Sequence, residues 1–183
     1  MAGANADSEV VVAGGGRLEP DPGQKGGSAT GPSPVDRARR GSKHHLLVDA
    51  TGIPLAWTVT GGNRNDVTQL VPLIERVPPV RGKVGRPRRR PDRLTADRGY
   101  DHDKYRRELR ARRIRPEIAR RQTEHGSGLG RARWVVERTF AWLHHFKRLL
   151  VRYDRRHEIH EAFHTYVDRV GNALQIHQLP MHL

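Results

Sequence analysis

Leu94-Thr-Ala-Asp-Arg-Gly-Tyr-Asp101 is the stretch on which the fold turns. Its apolar opening reads as a buried strand, and Asp97 stands where that strand should end, just before Arg98-Gly99. A carboxylate carried to the end of a buried strand needs a partner or a cation, and strand ends are where α/β proteins set their sites. Further along, Arg133-Trp-Val-Val-Glu-Arg-Thr-Phe-Ala-Trp-Leu143 reads as a helix bearing Glu137. Two carboxylates on separate rigid elements, in a chain of formal charge +14, suggest metal-assisted phosphodiester chemistry. Carboxylates hold hard divalent cations such as Mg²⁺, and paired ions clamp the attacking and leaving oxygens of an in-line displacement.

The charge supplies the substrate class. Thirty-four Lys and Arg stand against 20 Asp and Glu, with a pI near 11.3. An excess that large in a small chain points to nucleic acid rather than to an ordinary solvated surface. At 183 residues and 35% apolar content, the chain suits one domain with a modest core and a tail. The absence of Cys excludes disulfides and thiolate metal sites. The first 16 residues lack the layout of a signal peptide, and no apolar run approaches membrane-spanning length. A cytoplasmic, DNA-associated protein with no membrane partner is expected.

Residues 1–43 are rich in Gly, Ala, Pro and Ser and are expected to be mostly disordered, with only Glu9-Val-Val-Val-Ala13 resembling a strand. The domain is expected over 44–175, with 176–183 as a C-terminal tail. His44–Asp49 and Pro54–Thr60 predict a hairpin around Ala50-Thr-Gly-Ile53. Asp66 can cap a helix with Val67, Leu70, Val71, Leu73, Ile74 and Val77 at helical spacing, stopped by Pro78-Pro79. Residues 80–93 form a Pro-broken basic loop that reads equally as a solvated linker or as a phosphate-contacting segment through Arg86, Arg88, Arg89 and Arg90. A strand at Leu94–Tyr100, a very basic helix at His102–Arg113, a short edge strand from Arg115 and a helical region from about Arg131 to Gln175 complete a mixed α/β order.

On a helical wheel Val135, Val136, Trp142, Leu143, Phe146, Leu149, Leu150 and Tyr153 form one apolar stripe, with Glu137 opposite its centre. Periodicity alone fits an ordinary exposed Glu paired with Arg133 or Arg138 as well as a ligand. A competing motif is His160-Glu-Ala-Phe-His164, whose two His on one helical face can bind zinc in a peptidase. No obvious third ligand follows it. Helical spacing of Ile159, Phe163, Tyr166, Val167 and Val170 accounts for that segment without a metal.

Several segments in order resemble the central part of insertion-sequence transposases of the IS5 type, within the wider IS4-like DDE group. They are Lys25-Gly-Gly27, Thr30–Arg37, Gly41–Gly52, Asn63-Arg-Asn-Asp66, Ala96–Asp101, Arg133–Arg138 and Arg148–Arg155. The resemblance implies an RNase H-like mixed sheet flanked by helices, in which three acids hold two Mg²⁺ or Mn²⁺ ions. Asp97 matches the second Asp and Glu137 the Glu. Arg133 matches an Arg one helical turn earlier, and Arg138 and Arg148 join the expected DNA contacts. His144 stands where the wider group often has a basic residue. The first Asp has no match at its expected spacing, since Asp7 is too far and Asp21 too close. The expectation is therefore a DDE transposase catalytic domain truncated at its N-terminus and lacking its first strand, of weak or no activity. Its partners would be transposon ends and target DNA, and a homodimer is compatible with it. The alternative is a non-catalytic basic DNA-binding remnant.

Overall fold

Val10, Val11 and Val12 are all buried, which is the signature of a strand covered on both faces. In a computed structural model of the protein, the residues described are 9–20, 29–32, 40–79, 87, 89–122, 130–145 and 151–152, with 156, 158, 159, 162 and 165. The valines open strand β1, Glu9–Pro20, which pairs antiparallel with β3, Arg40–Asp49, and parallel with β5, Arg93–Ala96. The expectation of a missing central strand is thereby corrected, since β1 lies at the centre of the sheet and extends the strand-like Glu9–Ala13 to Pro20; β2, Gly31–Pro32, pairs with the start of β3. Gly14-Gly-Gly16 looks like a linker when read alone. Its backbone hydrogen bonds are satisfied by β3, with a bulge between Gly14 and Gly16 that absorbs one residue.

The expected hairpin is present, with β4, Pro54–Gly61, antiparallel to β3. Strand β6, Arg115–Ile118, lies parallel to β5 at the far edge. Across the body of the sheet the order is β4-β3-β1-β5-β6, three antiparallel strands followed by two parallel ones. This mixed sheet with flanking helices agrees with the RNase H-like expectation.

Alternation along the strands divides the core. Val10, Val12, Leu47, Leu94 and Ala96 face helices α1, Leu70–Glu75, and α2, Asp103–Ala111, while Val11, Leu46, Val48, Trp57 and Val59 face α3, Gly130–His144. The first helix departs from expectation at its start. A 3-10 turn, Asp66–Gln69, precedes α1, and its cap is the Asn65 side chain rather than Asp66. The helical region expected from about Arg131 to Gln175 is interrupted, because α3 ends at His144 and Val151–Arg152 forms β7, pairing with Glu19 and Pro20.

A candidate site at the end of the fifth strand

Ala96 pairs with Val12, so the strand ends with Asp97 level with Ala13 on β1. Asp97 is exposed and caps the short turn Arg98–Tyr100, its Oδ1 accepting the Gly99 N–H at 2.8 Å. A Cβ on Gly99 would lie 3.0 Å from Asp97 Oδ1 and 3.9 Å from Asp66 Oδ2. The Gly therefore keeps a narrow space between two carboxylates. Asp66 arrives from the turn before α1 and is held by the Lys43 ammonium at 3.0 Å.

The Asp97 turn is tied to the core by polar side chains. Tyr100 is fully buried, and its hydroxyl lies 3.4 Å from His45 Nδ1, whose Nε2 is 2.8 Å from Thr60 Oγ1. Burial lowers the His45 pKa to about 4, with Asp66 pulling it up and Lys43 pushing it further down. The imidazole is thus neutral near pH 7. Burial also raises the Tyr100 pKa well above its ordinary value, reinforced by Asp66 and then Asp97. One residue further, burial pushes the Asp101 carboxyl up, but hydrogen bonds from the Arg121 backbone N–H and the Arg106 guanidinium outweigh it, and the carboxyl sits below its ordinary range. Arg106 is 5% exposed; it donates to Asp101 Oδ1 at 2.8 Å and to the Ile118 carbonyl at 2.7 Å. Arg121 donates to the carbonyls of Arg98 and Gly99 at 3.2 and 3.3 Å.

Glu137 is exposed on α3, as the apolar stripe predicts, while Val135, Val136 and Leu143 are buried. The helix grips the β3–β4 turn. Thr139 Oγ1 donates to the Gly52 carbonyl at 2.9 Å, and Arg138 donates to the Thr51 carbonyl while stacking on Trp134 with 4.8 Å to the ring centroid. Gly52 has φ +97°, and a Cβ there would meet Arg138 Nη2 at 2.9 Å and Thr139 Oγ1 at 3.1 Å. Because Asp49 pairs with Val10, this turn lies at the end of the sheet opposite Asp97. The part of α3 that carries Glu137 is anchored there.

Among the described residues no group of three His, Asp or Glu side chains could hold a metal ion. With one Asp97 oxygen bonded to Gly99 and Asp66 paired to Lys43, the described residues do not compose a two-ion clamp. Arg89 and Arg90 are exposed just before β5. Arg133 lies in α3 with its side chain outside the described residues; Arg86, Arg88, Arg148, Asp7, Asp21 and, of the His160–His164 motif, all residues but Ala162 lie outside them altogether. His144 is half-buried, its pKa lowered by burial. Sequence reasoning missed His45, Asp66 and Tyr100 as neighbours of Asp97. Asp66 and Tyr100 stand inside motifs quoted above, but only the pairing of β3 with β1 reveals that His45 faces them.

No helix among the described residues is long and apolar enough to cross a membrane. The family of transposase DDE domains matches residues 7–167. A Burkholderia cepacia protein named as a transposase for insertion sequence element IS402 is 63% identical over 134 residues, which cover 73% of this chain and 64% of that protein. The match thus spans less than two thirds of the relative.

Proposed function

Since the chain belongs to the family of transposase DDE domains, we propose that it binds DNA as the catalytic part of an insertion-element transposase and has weak strand-cutting capacity of its own. Transposon ends and target DNA are the partners this reading implies, and a homodimer is compatible with it. Asp97 and Glu137 are the carboxylates that the family resemblance matches to ligands of a divalent ion, Mg²⁺ or Mn²⁺. The described residues hold them at opposite ends of the sheet and do not fit such an ion as they stand. Arg133 beside Glu137 and the exposed Arg89 and Arg90 would contribute phosphate contacts. When bound, such an ion supplies charge neutralisation and an activated oxygen nucleophile for phosphodiester cleavage.

One observation carries the weak-activity reading. The register Val12↔Ala96 sets Ala13 and then Gly14 beside Asp97, where a neighbouring strand would have to supply an acid. Two carboxylates with no third beside them among the described residues leave a hard cation under-ligated.

The reading is tested with supercoiled plasmid in Mn²⁺. Nicking should be faint, while a gel shift at low salt shows DNA retained. Robust nicking that disappears in both Asp97→Ala and Glu137→Ala would overturn the weak-activity reading. Absence of any DNA binding at low salt would overturn the DNA-handling role.

A further inference from the structure

The outer side of α2 is not explained by the site at Asp97. Its inner side carries Arg106 and Leu109, both buried, and Tyr105 packs against the core. Glu108 and Glu75 lie against Arg112 at 3.7 and 3.2 Å, so the nearby acids are already engaged. Arg107, Arg110 and Arg113 remain exposed, and none of them has an ion pair with any described residue. Arg107 and Arg110 lie about one helical turn apart, about 4.5 Å along the α2 axis, and Arg113 follows just past the helix end.

Arg113 gives the more telling sign. It sits just past the helix end with φ 61°, a conformation that ordinarily favours Gly. The Ile114 N–H returns to the Leu109 carbonyl at 2.9 Å and the Arg113 N–H to the Arg110 carbonyl at 2.8 Å, closing the helix as a Gly would. Ile114 is 1% exposed and pins that geometry. The helix dipole rewards cations in the last turn, but it does not require one in the left-handed position, nor does it account for Arg107 in mid-helix. A strained residue held by its surroundings is a reason to ask what its side chain does.

We propose that the outer face of α2 is a phosphate-binding track for duplex DNA, on the face of the sheet opposite α3. A duplex held there leaves the α3 face open to a second segment, so one chain engages two pieces of DNA. The partner follows from charge: a formal +14 chain with an unpaired arginine band fits a polyanion. This inference rests on the DNA-handling role proposed above and extends it to a second surface.

The experiment compares the full chain with the triple variant R107Q/R110Q/R113Q and with R113G, using anisotropy of a labelled duplex across a salt series. Each lost phosphate contact should make the log–log salt slope shallower by about 0.9, hence by about 2.7 in the triple variant. R113G should melt at a higher temperature while binding with a slope shallower by about 0.9, a combination that misfolding cannot produce. Bead-bound duplex should capture a free labelled duplex through the wild-type chain and lose that capture in the triple variant. Unchanged slopes and capture in the variants, with the wild type still binding in a salt-dependent way, would overturn the α2 track and leave the DNA-handling role standing. A wild type that binds no duplex at all removes that role and the track together.

Discussion

The Asp97 turn and the α3 helix present a carboxylate each, and they are built differently. Around Asp97 the contacts are polar and largely buried: Tyr100 to His45 to Thr60, and Asp101 to Arg106 to the Ile118 carbonyl. Glu137 rides on a helix held by apolar packing through Val135, Val136 and Leu143 and by two hydrogen bonds to a surface turn. Hydrogen bonds fix direction as well as distance, whereas apolar packing is non-directional. The Asp97 turn therefore has one conformation that satisfies its partners, and α3 can shift along its face at smaller cost. A carboxylate that must meet others at a metal is well served by the first arrangement.

The comparison is most exposed at Arg106. Its side chain and that of Asp101 are each 7% exposed and 2.8 Å apart. Arg106→Ala takes the buried guanidinium from Asp101 and from the Ile118 carbonyl, while the Arg121 N–H and Arg120 remain beside the carboxylate. We expect a loss of about 3 kcal/mol in urea unfolding, the low end for breaking a buried pair. Arg138→Ala on α3 removes an exposed guanidinium and should cost no more than about 1 kcal/mol. Equal losses for the two variants would erase the distinction between the regions.

A second effect separates the two regions by pH. Folded His45 takes up a proton only near pH 4, against 6.5 ordinarily. Between those values the unfolded chain binds a proton that the folded chain refuses. Stability is therefore full above about pH 6.5 and falls as pH drops toward 4, by up to about 3 kcal/mol. His144 on the α3 side is lowered by burial and acts in the same direction, so the variants must be compared. His45→Gln should flatten most of the slope across this window and His144→Gln much less. Asp101, held below its ordinary 3.8, loses its contribution only at more acid pH. A slope that survives in His45→Gln would mean the buried network does not hold a neutral imidazole.

Much of this was legible in the residues themselves. The hairpin, the strand ending at Asp97 and the exposed face of Glu137 follow from period and turn chemistry, which are local. Only the first part of the central strand, Glu9–Ala13, was legible, because Gly14-Gly-Gly16 has no propensity for a strand and acquires one only through β3. His45 and Asp66 escaped for the same reason: each is ordinary in its own segment, and their meeting with Tyr100 depends on contacts across 55 residues for His45. Arg106 read as one more cation on a basic helix. Nothing in its neighbours marks it as the arginine that turns inward.

The smallest expected effect tests whether the two regions are independent. Thr139 Oγ1 lies 2.9 Å from the Gly52 carbonyl and 3.0 Å from the Val135 carbonyl of its own helix, and its single proton is shared between these two acceptors; the residue is 4% exposed. Thr139→Ala removes one donor that α3 offers to the β3–β4 turn and should cost about 1 kcal/mol. Thr139→Ser, which keeps the hydroxyl, should recover most of it. The informative readout is hydrogen exchange resolved by residue. Amides of α3 should exchange faster in Thr139→Ala, since the helix loses one of its two hydrogen bonds to the turn and keeps only that from Arg138. Amides of Arg98–Asp101 should be unaffected, because their anchors lie on the other face and at the other end of the sheet. Faster exchange at both places would show that α3 and the Asp97 turn open as one unit. The two carboxylates would then be held by a single cooperative structure rather than by two.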